Sequence, residues 1–285
     1  MKLSQLVEGF FLDKELTISS NTAATYGYYF NSVIDFLSNK EVSSITAADV
    51  KRYLIYVVKD KGLTKRTAYD RHTALSSLYS WAHAELGIDN IMRKVQKPTY
   101  TKRVIEPFTG EELQKLIKNL NKSNYRFNAV LLTLLDSGLR ISELSNLTIA
   151  DYTRDTGKLF IRSGKGDKDR IVYLGKKSRK AIWRYLADRP NAKPSEPLFA
   201  SSNLTPLSRH NIRRDLKKYG DSLGIKCNPH KCRHTFAVNF LRNGGNIRQL
   251  QVILGHSRLD MIQTYTKLAE IDLQQATNFS PVDNL

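Results

Sequence analysis

His230 and Arg233 lie three residues apart, directly after Asn228 and Pro229, which together predict the N-terminal end of a helix. Residues at this spacing share one helix face. A histidine exchanges protons near neutral pH, and the planar guanidinium of an arginine holds two oxygens of an anion. Free amides and the helix dipole also favour an anion there, so the pair by itself fits either a phosphate site or an ordinary structural pair on a helix.

A second charged pair, Arg140 and Glu143, has the same spacing. The preceding Gly138 allows a sharp turn, and the carboxylate can then fix the guanidinium. An exposed pair of this kind contributes little stability. Four apolar neighbours indicate at least partial burial: Leu139, Ile141, Leu144 and Leu147.

Helices are the predicted elements that position these residues. In residues 1–97 the apolar periodicity predicts helices over residues 22–37, from Thr46, where Asp49 completes a capping box, and from Thr64 towards Leu86. Residues 97–107 contain two prolines and three basic residues without periodicity, which predicts an extended basic linker.

After the linker, capping patterns and periodicity predict helices from Thr109, over residues 127–135, over residues 178–187 and 208–219, from Asn228, from Asn246, and from Ser257 through Tyr265. Residues 158–174 differ, because two alternating apolar segments flank a Gly/Asp turn, and they predict two short strands. The expected fold is therefore mainly α with a small β-hairpin or sheet in the C-terminal part, an α+β arrangement.

The composition favours a polyanionic partner. The 285 residues include 45 Lys and Arg against 27 Asp and Glu, a formal net charge of +18. Basic side chains that neutralise phosphates release condensed counterions, so nucleic acid is favoured over an anionic membrane. Two cysteines argue against a disulfide framework, and no signal or spanning segment is evident, so a reducing, cytoplasmic location is expected.

Four segments, in this order, resemble the motifs of the tyrosine recombinases, the phage integrase family. They are Gly138 to Leu144, with the first arginine; Gly164 to Arg170, resembling a hairpin with a catalytic lysine; His230 to His234, resembling a His-x-x-Arg box; and Leu254-Gly255-His256 followed nine residues later by Tyr265. The helical N-terminal part also resembles that family's core-binding domain, so the likeness extends over nearly the whole chain.

The resemblance implies a role for each residue in cutting and rejoining DNA through a 3′-phosphotyrosyl intermediate and a Holliday junction. Tyr265 would be the nucleophile. Arg140 and Arg233 would hold the non-bridging oxygens, Lys165 would protonate the leaving 5′ oxygen, His230 would assist proton movement, His256 would hydrogen-bond the phosphate, and Glu143 would orient the site from outside. Lys168 competes with Lys165 for its role. No cofactor, metal or ATP is expected.

The resemblance further implies a two-domain, C-shaped DNA clamp. Residues 1–97 would be a helical, SAM-like core-binding domain, residues 98–107 a basic linker, and residues 108–285 the catalytic domain. The expected partner is double-stranded DNA with inverted core sites, bound by a homotetramer on paired sites. Leu268, Ile271 and Leu273 of the C-terminal tail could contact a neighbouring subunit. An accessory protein stays undefined.

Basic residues outside the motifs are candidates for further DNA contacts, chiefly to phosphates. They occur on two predicted helices and in the linker: Lys65, Arg66, Arg71, Lys102, Arg103, Arg209, Arg213, Arg214 and Lys217.

Three other functions account for part of the same pattern. A zinc site built from Cys227, His230, Cys232 and His234 is disfavoured, because residues two apart on a helix point about 200° apart. A DNA-binding protein without catalysis explains the charge but not the ordered motifs. A topoisomerase would share the tyrosine chemistry. Among recombinases, resolution of dimers or transposon cointegrates is preferred, with integration or excision of a mobile element as the alternative.

Overall fold

The structure, a computed structural model, describes residues 1–101, 106–162 and 169–255. The chain divides into two compact units, Met1–Arg103 and Val104–Leu285. Each unit has its own apolar core. The described part is mainly helical with one small antiparallel sheet, as the sequence predicted. No helix among the described residues is long and apolar enough to cross a membrane.

Within residues 1–101, the first unit holds four α-helices: α1 (Leu3–Lys14), α2 (Ser20–Phe36), α3 (Ala47–Lys59) and α4 (Lys65–Leu86). Short 3₁₀ turns lie at Val42–Ser44 and Ile91–Lys94. Local capping explains where they begin. Thr46 and Asp49 form the predicted capping box, and Thr64 accepts a bond from the amide of Thr67. The helix predicted from residue 22 begins two residues earlier, because Ser19 caps it.

The second unit holds seven described helices: α5 (Gly110–Lys118), α6 (Tyr125–Ser137), α7 (Ile141–Asn146), α8 (Lys176–Ala187), α9 (Arg209–Ser222), α10 (Pro229–Arg242) and α11 (Ile247–Leu254). Helix α6 packs against both α8 and α10. Its buried residues Leu131 and Leu134 therefore lie at the centre of the core. This packing fixes the end of α6 beside α10, where the two charged pairs meet.

The sheet of the second unit contains β1 (Tyr152–Thr153), β2 (Lys158–Ile161) and β3 (Arg170–Tyr173), in the order β1-β2-β3. Strands β2 and β3 pair antiparallel, with Leu159 opposite Val172 and Ile161 opposite Arg170. The two predicted strands are confirmed. Strand β1 was not predicted, because two residues are too short for a periodic signal. The predicted Gly/Asp turn falls on residues 163–168, which lie outside the described residues.

Candidate active site

Gly138 produces the turn that presents Arg140. Helix α6 ends at Ser137, and Gly138 adopts the left-handed conformation with φ of 62°. A Cβ atom there would lie 2.4 Å from Cδ1 of Phe236 on α10. Only glycine therefore combines this φ with so close an approach of two segments. The turn leaves Arg140 as the residue that caps α7.

Glu143 fixes Arg140 in two ways. Its Oε2 accepts the backbone amide of Arg140 at 2.7 Å, and its Oε1 accepts Nη1 of the same arginine at 3.0 Å. The carboxylate is buried, with 9% of its side chain exposed, whereas Arg140 keeps 35% exposed. The predicted pairing and its partial burial are thus present in the structure.

Glu143 has a second partner that the sequence did not reveal. Arg170, the first residue of β3, donates Nη1 to Oε1 at 2.9 Å and Nη2 to Oε2 at 2.8 Å. Burial raises the pKa of Glu143, but the hydrogen bonds and charges of Arg170 and Arg140 outweigh it, and the net shift of the pKa is downward. Glu143 is therefore an ionised bridge between two guanidinium groups.

Helix α10 presents the His-x-x-Arg pair. Asn228 caps it by accepting the amide of Lys231 at 2.9 Å, and Pro229 occupies the first turn, as predicted. His230 is exposed, whereas Arg233 is buried at 6%. Arg233 donates Nη1 to the carbonyl of Gly138 at 2.7 Å. The two charged pairs, distant in sequence, are thereby brought together at the turn after α6.

Three guanidinium groups converge on the carboxyl end of α11. Arg170 donates Nε to the carbonyl of Ile253 at 2.6 Å, Arg233 donates Nη2 to Leu254 at 2.7 Å, and Arg140 donates Nη2 to Gly255 at 3.1 Å. The last carbonyls of a helix have no partner within it and carry partial negative charge, so cations stabilise them. The site thus holds the residue directly before His256.

Two histidines of α10 are held towards the neutral form. Partial desolvation and the charges of Arg213 and Arg233 lower the pKa of His230. Desolvation, together with His230 and Arg233, lowers the pKa of His234 to about 4. A neutral imidazole at position 230 can accept a proton at physiological pH.

The cysteines near this helix contribute no metal site in the part of the chain that the structure covers. Cys227 and Cys232 are buried free thiols. Cys232 is fully buried whereas His230 is exposed, so the two side chains point in different directions. Among residues 1–101, 106–162 and 169–255, no group of three or more His, Cys, Asp or Glu side chains is arranged to hold an ion.

The basic residues of α9 are exposed but not equivalent. Arg214 pairs with Asp215 at 3.1 Å and Lys217 with Asp221 at 2.5 Å. Arg209 and Arg213 have exposed side chains, and the charge of Arg213 reaches His230. Within α9, Arg213 is therefore the basic residue whose charge acts on His230 of the candidate site.

One of the predicted DNA-contact residues of α4 is placed differently. Lys65 and Arg66 are exposed, but Arg71 is buried at 3%. Its Nη1 donates to Ser32 at 2.6 Å and to the hydroxyl of Tyr53, and its guanidinium lies 5.3 Å from the ring centre of Tyr29. The prediction for Arg71 is therefore wrong, because tyrosines from α2 and α3 enclose it.

Several predicted site residues lie outside the described residues, and the structure does not locate them. They are Lys102, Arg103, Lys165, the competing Lys168, His256 and Tyr265.

Comparison with family models matches both units. Residues 106–271 match the model described as the phage integrase family. Residues 9–86 match the model described as the N-terminal SAM-like domain of phage integrases. Tyrosine recombinase XerA of Pyrococcus furiosus is 34% identical over 261 residues, which cover 90% of this chain and 87% of the relative.

Solved structures give the same architecture. The integrase of transposon Tn1549 in complex with circular intermediate DNA aligns with a TM-score of 0.80 and 20% identity, covering 96% of this chain and 99% of that chain. A lambda integrase tetramer bound to a Holliday junction aligns with a TM-score of 0.77 and 17% identity, covering 93% and 77%. At these identities the likeness establishes the fold.

Proposed function

The chain belongs to the phage integrase family and is a tyrosine recombinase, and we propose that it cuts and rejoins DNA through a 3′-phosphotyrosyl bond to Tyr265. The tyrosine hydroxyl attacks the scissile phosphate, and the 5′ oxygen leaves as a hydroxyl. Because the bond energy is kept in the protein–DNA link, rejoining requires neither ATP nor a metal ion. Two such exchanges pass through a Holliday junction.

The proposed roles follow the charge that develops on the phosphate. Arg140 and Arg233 hold the non-bridging oxygens and offset the added negative charge of the transition state. Lys165 donates the proton to the leaving 5′ oxygen, and His230 assists removal of the proton from the tyrosine. His256 donates a hydrogen bond to the phosphate.

Convergence of the arginines carries this proposal. Arg140 and Arg233 come from α7 and α10, yet both donate to consecutive carbonyls at Gly255 and Leu254. The chain continues from there directly into His256. Two cations beside the start of the segment that carries His256 and Tyr265 form a site suited to a phosphodiester.

We assign DNA binding to both units. Residues 1–97 serve as the core-binding domain, residues 98–107 as a basic linker and residues 108–285 as the catalytic domain. Phosphate contacts are proposed for the basic residues that the structure leaves exposed and for the two linker residues: Lys65, Arg66, Lys102, Arg103, Arg209, Arg213, Arg214 and Lys217. Arg71 is excluded, because it is buried.

The proposed substrate is double-stranded DNA carrying inverted core sites, bound in pairs by a homotetramer. A DNA-bound tetramer of the same fold supports this assembly. The apolar residues Leu268, Ile271 and Leu273 of the tail are proposed to contact the neighbouring subunit.

The preferred biological role is resolution of replicon dimers or transposon cointegrates. The similarity to a Xer recombinase over 90% of the chain supports this role. Integration or excision of a mobile element is the alternative, supported by the shared fold of the Tn1549 integrase. Two substrates separate the two roles: one plasmid carrying two candidate sites as direct repeats, and a pair of plasmids carrying one site each. Resolution predicts deletion on the single plasmid by this protein alone with little joining of the pair, whereas integration predicts efficient joining of the two separate plasmids.

Covalent trapping tests the chemistry. Nicked duplexes taken from the DNA that flanks the reading frame are incubated with the protein in EDTA without ATP and separated on a denaturing gel. We expect a covalent adduct with the wild type and none with Tyr265→Phe, because phenylalanine has no nucleophilic oxygen. Tyr173→Phe is the matched control, since Tyr173 is 64% exposed on β3, and it should retain the adduct.

Two other outcomes would support a different function. Retarded DNA complexes without any adduct would favour a DNA-binding protein that lacks catalysis. Relaxation of supercoiled DNA regardless of sequence, without recombination, would favour a topoisomerase.

A further inference from the structure

Arg170 has no role in the proposed chemistry, yet every nitrogen of its guanidinium group donates a hydrogen bond within the site. It lies at the start of β3, opposite Ile161 of β2. In the sequence these two residues flank residues 162–169, which include Lys165. Only 3% of its side chain is exposed, so Arg170 is too buried to contact DNA directly.

The guanidinium of Arg170 joins three elements. Two of its nitrogens bind both oxygens of Glu143 on α7, and Nε binds the carbonyl of Ile253 in α11. A paired guanidinium and carboxylate with two parallel bonds fixes orientation as well as distance. Since Glu143 also binds Arg140, a shift of Arg170 would be passed on to Arg140.

Gly255 packs directly on this guanidinium. A Cβ atom at Gly255 would lie 2.9 Å from Nη1 and 3.1 Å from Cζ of Arg170. The glycine has φ of 63°, and its carbonyl accepts Nη2 of Arg140. Arg170 and Arg140 therefore both hold the last turn of α11, directly before His256.

We propose that Arg170 is a positioning residue for strand cleavage, which fixes Arg140 through Glu143 and fixes the entry to the His256–Tyr265 segment through Ile253 and Gly255. This inference rests on the proposed function, because it assigns Arg170 to the same reaction. It links strand β3, the first arginine and the last turn of α11 through one buried side chain.

The substitution Arg170→Lys tests this role. Lysine keeps the charge but has a single nitrogen, which cannot reproduce the paired bonds to Glu143 together with the bond to Ile253. We expect the single-turnover rate of adduct formation on the nicked duplex to fall about 10- to 100-fold, the usual cost of losing a group that orients a site. The DNA dissociation constant should change by less than about twofold, since Arg170 is buried.

Arg162→Lys is the matched control. Arg162 follows β2 and pairs with the buried carboxylate of Asp151 at 2.6 Å, but its side chain is 58% exposed. We expect its cleavage rate to stay within about twofold of the wild type. Equal cleavage by Arg170→Lys and the wild type, or equal losses in both variants, would overturn the positioning role. No adduct even with the wild type would instead overturn the proposed function.

A second variant keeps the test decisive if Arg170→Lys folds poorly. Gly255→Ala keeps the Arg170 and Glu143 side chains unsubstituted. Its added methyl group would lie 2.9 Å from Nη1 of Arg170 and displace the guanidinium, so this variant should also cleave DNA more slowly. Gly244→Ala is its control. Gly244 has a φ of 80° and no atom within 4 Å of a Cβ, so an alanine there introduces the same kind of backbone strain without a steric overlap.

The two substitutions should also be non-additive, because lysine lacks the atoms that the new methyl group meets. Gly255→Ala is expected to slow the Arg170→Lys variant less than it slows the wild type. Equal rates for Gly255→Ala and Gly244→Ala, or fold-losses that simply multiply in the double variant, would contradict the inference.

Discussion

At the scale of single residues, the three arginines of the site are not equivalent. Arg170 and Arg233 are buried, whereas Arg140 keeps 35% of its side chain exposed. All three donate to the end of α11. Arg140 is therefore the arginine whose surface DNA can reach most directly, and its orientation depends on the buried Glu143.

His234 allows a prediction of stability against pH. Its pKa in the folded protein is about 4, below the usual value near 6.5. The unfolded chain therefore binds a proton more readily, and the contribution of His234 to stability is present above about pH 6.5 and lost as the pH falls towards 4. Discounted for the partial exposure of the ring, the loss should be about 2 kcal/mol.

Urea unfolding at several pH values measures this effect. His234→Gln should flatten the decline of the unfolding free energy between pH 6.5 and 4 relative to the wild type. His210→Gln, which changes an exposed histidine on α9, should leave the decline as it is. Parallel curves for the wild type and His234→Gln would show that His234 does not resist protonation in the folded protein.

At the scale of elements, the ends of the helices matter more than their interiors. The turn after α6, the first turn of α7, the start of α10, the last turn of α11 and the first residue of β3 supply the described groups of the site. Such ends have unpaired amides and carbonyls, which polar side chains can bind. The close approach at Gly138 brings two of these ends together.

Gly138→Ala should therefore lower the free energy of unfolding by more than backbone strain alone would. The left-handed φ costs an alanine about 1 to 2 kcal/mol, and the overlap with Phe236 and Leu254 adds about 1 to 3 kcal/mol. Gly224→Ala is the control, because Gly224 has φ of 69° with no atom within 4 Å of a Cβ. If urea unfolding shows that both variants lose the same free energy of unfolding, an alanine methyl group at Gly138 does not overlap with Phe236 and Leu254.

At the scale of the whole molecule, each unit has its own core. The core of the first unit is built from residues between Leu3 and Val95. Among the described residues of the second unit, the buried side chains form two clusters, one between Phe108 and Cys232 and a smaller one that joins α10 and α11. The excess of basic residues is spread over both units, which suits a protein that binds DNA with each.

The first unit should consequently fold alone. We expect a fragment of residues 1–101 to give a helical circular dichroism spectrum and one cooperative urea transition, because four packed helices supply a complete core. Leu78→Asp, which places a charge at a fully buried position of α4, is the control and should abolish the transition. A fragment without a cooperative transition would mean that this core is insufficient by itself.

Much of the architecture could be predicted because it depends on neighbours in sequence. Thr46, Thr109 and Asn228 cap helices by accepting the backbone amide three residues ahead, and these patterns are visible in the sequence. The spacing of Arg140 and Glu143 likewise fixed their pairing. The resemblance to the phage integrase family rested on such local motifs, and the family match agrees with it.

The partners of charged side chains could not be predicted in the same way, because they come from distant parts of the chain. Arg71 belongs to a basic helix, but tyrosines of two other helices bury it. Arg170 finds Glu143 27 residues away, and the end of α11 is held by three arginines from three elements. The sequence alone determined most of the helices, strands β2 and β3 and the family motifs, since capping, periodicity and spacing act locally. Only the tertiary structure decided which charges are buried together, since burial depends on packing between elements.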